Sequence, residues 1–138
     1  MKLGLRSEKM SFNGAIESMD GKVSIEITNH SGTGVVAFKS ASVSDVEAIA
    51  AASDKIKEFV KLNKPSRLIF DFEKVKFFSS QVLGMLLDVR GQMDSYDGRV
   101  VVSAINPQLY RVFKITNLDK IFTFFKDRES AIKESKTD

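Results

Sequence analysis

The sequence predicts an α/β fold: a mixed sheet of four to five strands with an N-terminal antiparallel hairpin edge, and about four helices packed mainly on one face. Three observations carry this. Val23, Ile25 and Ile27 alternate with Ser24, Glu26 and Thr28, the period-two pattern of a half-buried strand. Two later runs, 68–72 and 100–105, are mostly apolar, as in strands covered on both faces. Amphipathic helical segments fall between and after them, and strands alternating with helices build parallel sheets through crossovers.

The elements follow in order. Asn29 to Gly34 is turn-forming in composition, and Val35 to Phe38 resumes as a strand, so 23–38 forms a hairpin. From Ser44 the period changes. Val46, Ile49, Ala50, Ile56, Phe59 and Val60 fall on one helical face, and Pro65 ends the helix because proline disfavours helical backbone at the residue before it. Arg67 opens the next strand, and Leu83, Leu86, Leu87 and Met93 suit a second helix closed by Tyr96-Asp97-Gly98. After the strand at 100–105, Asn106-Pro107 signals a helix start, since asparagine caps and proline suits the first helical position. Ile121 to Phe125 reads as a short last strand and Asp127 to Ser135 as a polar terminal helix. Residues 1–20 are expected to be an N-terminal extension, 21–135 the domain and 136–138 a polar tail.

Composition narrows the chemistry. The 138 residues contain no cysteine, which excludes disulfides and thiolate metal sites and suits a reducing, cytoplasmic setting. The net charge of +3 comes from scattered lysines with no basic stripe interleaved with aromatics, so no nucleic-acid partner is expected. No apolar run approaches the roughly 20 residues that span a bilayer, and Met1 to Met10 lacks the apolar segment of a secretory signal, so no membrane association is expected either. The single histidine, His30, lies in a turn. No histidine–cysteine cluster, Walker-type loop, dinucleotide-type glycine loop or nucleophile elbow is present, so no cofactor, metal or enzymatic activity is expected. Asp71, at a strand end, lacks the acidic pair that a phospho-acceptor aspartate needs and reads as a solvated or loop-paired acid. Gly84 inside a helix costs about 1 kcal/mol relative to alanine and suggests a close backbone approach, with simple tolerance as the alternative.

The remaining feature is Phe77-Phe78-Ser79-Ser80-Gln81-Val82-Leu83-Gly84. Two adjacent hydroxyls stand where a strand gives way to a helix, at the carboxyl end of a parallel strand where α/β sheets place functional loops. Helix N-termini favour anions, so a serine there can cap the helix or carry a phosphate.

This segment, with the Val100–Ile105 strand, Asn106-Pro107, Val112-Phe113 and Thr116-Asn117-Leu118-Asp119-Lys120-Ile121-Phe122, resembles the STAS domain family over roughly 23–133. Within the family it is most similar to bacterial anti-sigma factor antagonists. Their usual motif reads Asp-Ser-Ser/Thr/Ala-Gly-Leu-Gly, with the serine after the aspartate phosphorylated. That serine corresponds to Ser80. Ser79 replaces the aspartate, Gln81 and Val82 follow, and Leu83 and Gly84 match.

The resemblance implies a non-enzymatic switch. Its unphosphorylated form binds an anti-sigma factor serine kinase, phosphorylation at Ser80 releases it, and a serine phosphatase of the metal-dependent type restores it. The implied partner-facing residues are Ser44, Asp45, Phe78, Ser79, Ser80, Gln81, Leu83 and Gly84. The alternatives are a STAS interaction or scaffold module without phosphorylation, or a small-ligand or lipid-trafficking accessory protein. A monomer is expected, with weak self-association through an edge strand at Val23–Thr28 as the alternative.

Overall fold

A computed structural model describes residues 8–10, 16–19 and 23–136. Its main sheet has seven strands in the order β1-β2-β3-β4-β6-β8-β9. These are β1 Glu8–Met10, β2 Ile16–Met19, β3 Ser24–His30, β4 Thr33–Phe38, β6 Arg67–Asp71, β8 Arg99–Ser103 and β9 Thr123–Phe125. A separate parallel pair joins β5, Ser42–Val43, to β7, Phe77–Phe78. The helices are α1 Val46–Asn63, α2 Ser80–Asp94, α3 Pro107–Ile115 and α4 Arg128–Lys136, with a 3₁₀ turn at Leu118–Lys120.

The α/β class and the hairpin are as the sequence predicts, and β4, β6, β8 and β9 are mutually parallel. Two further strands join the sheet from the segment expected to be an extension. β2 pairs antiparallel with β3, Ile16 opposite Ile27, and β1 pairs with β2. The Val23–Thr28 segment is therefore an interior strand. Its unpaired edge, invoked for self-association, is occupied by β2.

Alternation along each strand divides the apolar residues between two layers. Ile25, Ile27, Val36, Phe38, Leu68, Phe70, Val100 and Val102 face α1, α2 and α3 in the large core. Val35, Ile69 and Val101 face the other way, onto Ala131, Ile132 and Phe125. Among the described residues α4 is the helix that covers that face, and its apolar residues are correspondingly few. Gly34 brings α1 close to the sheet, since a Cβ there would sit 2.8 Å from both Phe59 Cε2 and Leu68 Cδ1.

The helix ends follow from local chemistry. Asp45 caps α1 by accepting from the Ala48 amide at 2.9 Å, and Lys64, with φ 42°, closes it ahead of Pro65. Asn106 caps α3 by accepting from the Leu109 amide at 2.8 Å. In α1 the buried residues are Ala48, Ile49, Ala52, Ile56, Phe59 and Val60. Val46, assigned to that face by periodicity, is 67% exposed, although Ala48 and Ile49 in the same turn are buried.

Candidate functional site

The site is assembled where the parallel strands end and the helices begin. The loop leaving β6 is pinned along its length. The Val75 carbonyl accepts from Asn106 Nδ2 at 3.2 Å, and the Ala41 carbonyl accepts from the amides of Lys76 at 2.7 Å and Phe77 at 3.1 Å. The Ser79 amide then donates to the Val43 carbonyl at 3.0 Å. The β5–β7 pair thus delivers the chain to the start of α2 in a fixed register. Alternation within it turns Val43 and Phe78 inward and leaves Ser42 and Phe77 exposed.

Ser79 holds the N-cap position of α2, with extended backbone at φ −86° and ψ 165°, and Ser80 is the first helical residue. The two hydroxyls differ sharply. Ser80 is exposed, whereas the Ser79 hydroxyl is shielded from solvent and meets no hydrogen-bond partner. The capping bond expected of a serine at this position is not made, so the cap at Ser79 is one of backbone placement alone. No acidic residue lies in the first turn of α2 to balance the dipole at its N-terminus.

The surroundings of Ser80 combine residues of α1 and α2. Gln81 donates through Nε2 to the Val46 carbonyl at 3.1 Å, which ties the first turns of the two helices together. Exposed Phe77 and Val46 supply apolar surface at the same rim. Ser44 is exposed beside Ser42, and the Asp45 carboxylate is spent on the α1 cap. Between the helices runs a groove of about 420 Å³ lined by Ile49, Lys57, Gln81, Gly84, Met85 and Asp88, with Lys57 and Asp88 paired across it at 3.4 Å. Gly84 opens onto this groove. A Cβ added there would meet nothing within 4 Å, so the close approach inferred for this glycine is not made among the described residues.

Two of the residues expected at the partner-facing surface are buried within the chain. Phe78 is 6% exposed and Leu83 7%, and both belong to the core. Phe78 packs edge-on against Phe72 and Phe113, with ring centroids 5.7 and 6.1 Å apart, because the inward phase of β7 places it there. Its role is to hold the rim from beneath.

Sequence reasoning missed the surroundings of Asp71. This carboxylate is 2% exposed and lies 2.7 Å from Arg128 Nη2 and 2.9 Å from Arg128 Nε, so it is a buried ion pair with α4. No periodicity links residues 57 positions apart, and no local signal marks the pair. Phe77 and Val46 were also missed as exposed apolar residues, since sequence pattern alone groups Val46 with the apolar face of α1 and Phe77 with its neighbour Phe78. His30 ends β3, exposed, with its Nε2 3.0 Å from the Thr28 hydroxyl. Among the described residues, no group of histidine and acidic side chains could hold a metal ion, and no helix is long and apolar enough to cross a membrane.

Comparison with solved structures places this architecture. The anti-sigma factor antagonist SpoIIAA in its unphosphorylated form matches with a TM-score of 0.73 at 19% identity, covering 83% of this chain and 97% of that one. The Bacillus cell fate determinant SpoIIAA in its phosphorylated form matches with a TM-score of 0.65 at 20% identity, covering 80% and 98%. An anti-sigma factor antagonist from Mycobacterium paratuberculosis gives 0.70 at 25% identity, covering 81% and 92%. The family model described as the STAS domain matches residues 24–131, from the first residue of β3 into α4, and the chain therefore belongs to the STAS domain family.

Proposed function

We propose that this chain is an anti-sigma factor antagonist that binds an anti-sigma serine kinase when Ser80 is unmodified and is released when Ser80 is phosphorylated. The observation that carries this reading is the exposure of Ser80 as the first residue of α2, beside a hydroxyl that is shut away from solvent. A kinase can reach the one and not the other. The kinship with structures of anti-sigma factor antagonists supports the class of partner. Exposed Phe77 and Val46 offer the apolar contact area that a protein partner would bury.

The physical logic is local. Phosphorylation adds about −1.5 to −2 charge at a helix N-terminus that tolerates it, so the fold need not change. Burying that charge in the interface is costly, so the partner leaves. A serine phosphatase of the metal-dependent type would return the chain to its binding form in the cytoplasm, and the chain itself would act as a binding component without catalysis.

Incubation with candidate anti-sigma kinases and ATP, followed by mass mapping of the phosphate, tests the reading. Phosphate is expected on Ser80, absent from Ser80→Ala, with binding of the Ser80→Ala protein retained. Full phosphorylation of Ser80→Ala would move the acceptor elsewhere. Binding without any phosphate transfer would leave an interaction module in place of a switch.

A further inference from the structure

We propose that Arg128, on the opposite face of the sheet, is a positioning residue for the loop that presents Ser80, and that it acts through Asp71. The relevance to Ser80 rests on the acceptor reading above; the mechanical coupling does not. Asp71 ends β6 with its carboxylate almost wholly out of solvent, and its two oxygens divide the work. Oδ2 accepts from Arg128 Nη2 at 2.7 Å and from Nε at 2.9 Å. Oδ1 accepts from the Ser103 hydroxyl at 3.3 Å and from the Glu73 amide at 3.2 Å. One carboxylate therefore joins α4, the end of β8 and the first turn of the loop that runs on to Ser80.

Both oxygens belong to one planar carboxylate, so the guanidinium that grips Oδ2 with two donors also fixes the orientation of Oδ1. The rest of the loop continues the constraint. The Phe72 amide donates to the Ser103 carbonyl at 2.9 Å, the Val75 amide to the Phe72 carbonyl at 3.0 Å, and Asn106 holds the Val75 carbonyl. From Val75 the chain passes directly onto the Ala41 carbonyl and into β7. The strap between β6 and α2 is thus fastened at both ends. The fastening at its β6 end is the Arg128–Asp71 pair, supplied by α4, which packs onto β6, β8 and β9. Arg128 keeps 30% of its side chain exposed, so a contact made on the α4 face can reach the fastening.

Amide hydrogen exchange on the full chain tests this without any kinase. In Arg128→Gln the amides of Glu73, Val75 and Lys76 are expected to exchange roughly tenfold faster than in the parent, with partial recovery in Arg128→Lys. Ile132→Ala, which loosens α4 packing without touching Asp71, should lower Tm and leave those three amides alone. Because the chain has no cysteine, Ser80→Cys supplies a single thiol at the site. Its ionisation midpoint, read by reaction with a disulfide reagent, should rise towards the ordinary value of about 8.5 when Arg128→Gln is added.

If Arg128→Gln does not fold, the double variant Asp71→Asn/Arg128→Gln removes the buried charge together with its partner and should show the same local exchange. Unchanged protection of the three amides, or an increase spread evenly over the sheet in Arg128→Gln and Ile132→Ala alike, would overturn the coupling. Neither result would bear on whether Ser80 accepts phosphate, and an unphosphorylated Ser80 would not alter the exchange.

Discussion

Gln81 Nε2 donates to the Val46 carbonyl at 3.1 Å, so the residue directly after Ser80 is bonded to the first turn of the neighbouring helix. The Val46 carbonyl belongs to a backbone already set by the Asp45 cap. The exposed rim on which Ser80 stands is therefore braced from two helices, and its geometry is a property of the pair. Gln81→Ala should cost about 0.5–1.5 kcal/mol by chemical denaturation and should weaken partner binding more than that loss of stability explains. Equal partner affinity in the variant would show that the brace does not shape the docking rim.

Ser79→Ala separates a cap from a buried, unpartnered hydroxyl. A functioning cap would make the variant less stable by about 0.5–2 kcal/mol. The shielded Ser79 oxygen makes no bond, so removing it should instead raise stability by about 1 kcal/mol. Thermal denaturation reads the sign directly.

Gly84→Ala should raise stability by about 1 kcal/mol, since alanine is the better helix former and the added methyl meets open space. A bulkier Gly84→Leu would extend into the mouth of the groove between α1 and α2, with its own thermal denaturation as the control for folding. Partner titrations of the two variants would show whether the groove is used: loss of affinity in Gly84→Leu alone would establish contact there.

Asn106→Ala removes two bonds at once, the α3 cap on Leu109 and the tether to Val75. A loss of about 1–3 kcal/mol is expected, above that of a cap alone. Asn106→Asp retains the cap and lacks the donor to Val75, so its loss relative to the parent isolates the tether and the difference between the two variants isolates the cap. An Asn106→Asp protein as stable as the parent would assign the whole effect to the cap.

Asp127 starts α4 and accepts from Ser130, and these bonds, the side-chain one foremost, hold its carboxyl below the ordinary 3.8. A depressed carboxyl contributes stability above its unfolded value and loses it as pH falls through the lower folded value. The helical signal of α4 should therefore decline below about pH 3.8 in the parent, and Asp127→Asn should flatten that part of the profile. A pH profile unchanged by Asp127→Asn would remove the cap from the account of acid sensitivity.

The fold was legible wherever a local pattern had enough length to register. Val23–Thr28 shows three full alternations, the 68–72 and 100–105 runs are apolar on both phases, and Asn106-Pro107 marks a helix start by residue type alone. Strands β1 and β2 have three and four residues, and β5 and β7 two each, too short for a period to emerge from background. At the site, residue type located the N-terminus of α2. It could not reveal that the Ser79 hydroxyl turns away from the cap, since that depends on a side-chain rotamer set by packing. The Asp71–Arg128 pair was invisible because its partners meet only after the sheet is complete.

One consequence concerns direction. Asp45, Ser79, Asn106 and Asp127 all stand near the rim formed by the carboxyl ends of the parallel strands, so α1, α2, α3 and α4 begin at the same end of the molecule. Peptide dipoles aligned along a helix add, with the positive pole at the start, while those of a sheet largely cancel. The chain is thus a bar with its positive pole at the rim that carries Ser80. An approaching molecule with an acidic face would be turned towards that rim before any contact forms, and each phosphate placed there would weaken the pole that had turned it.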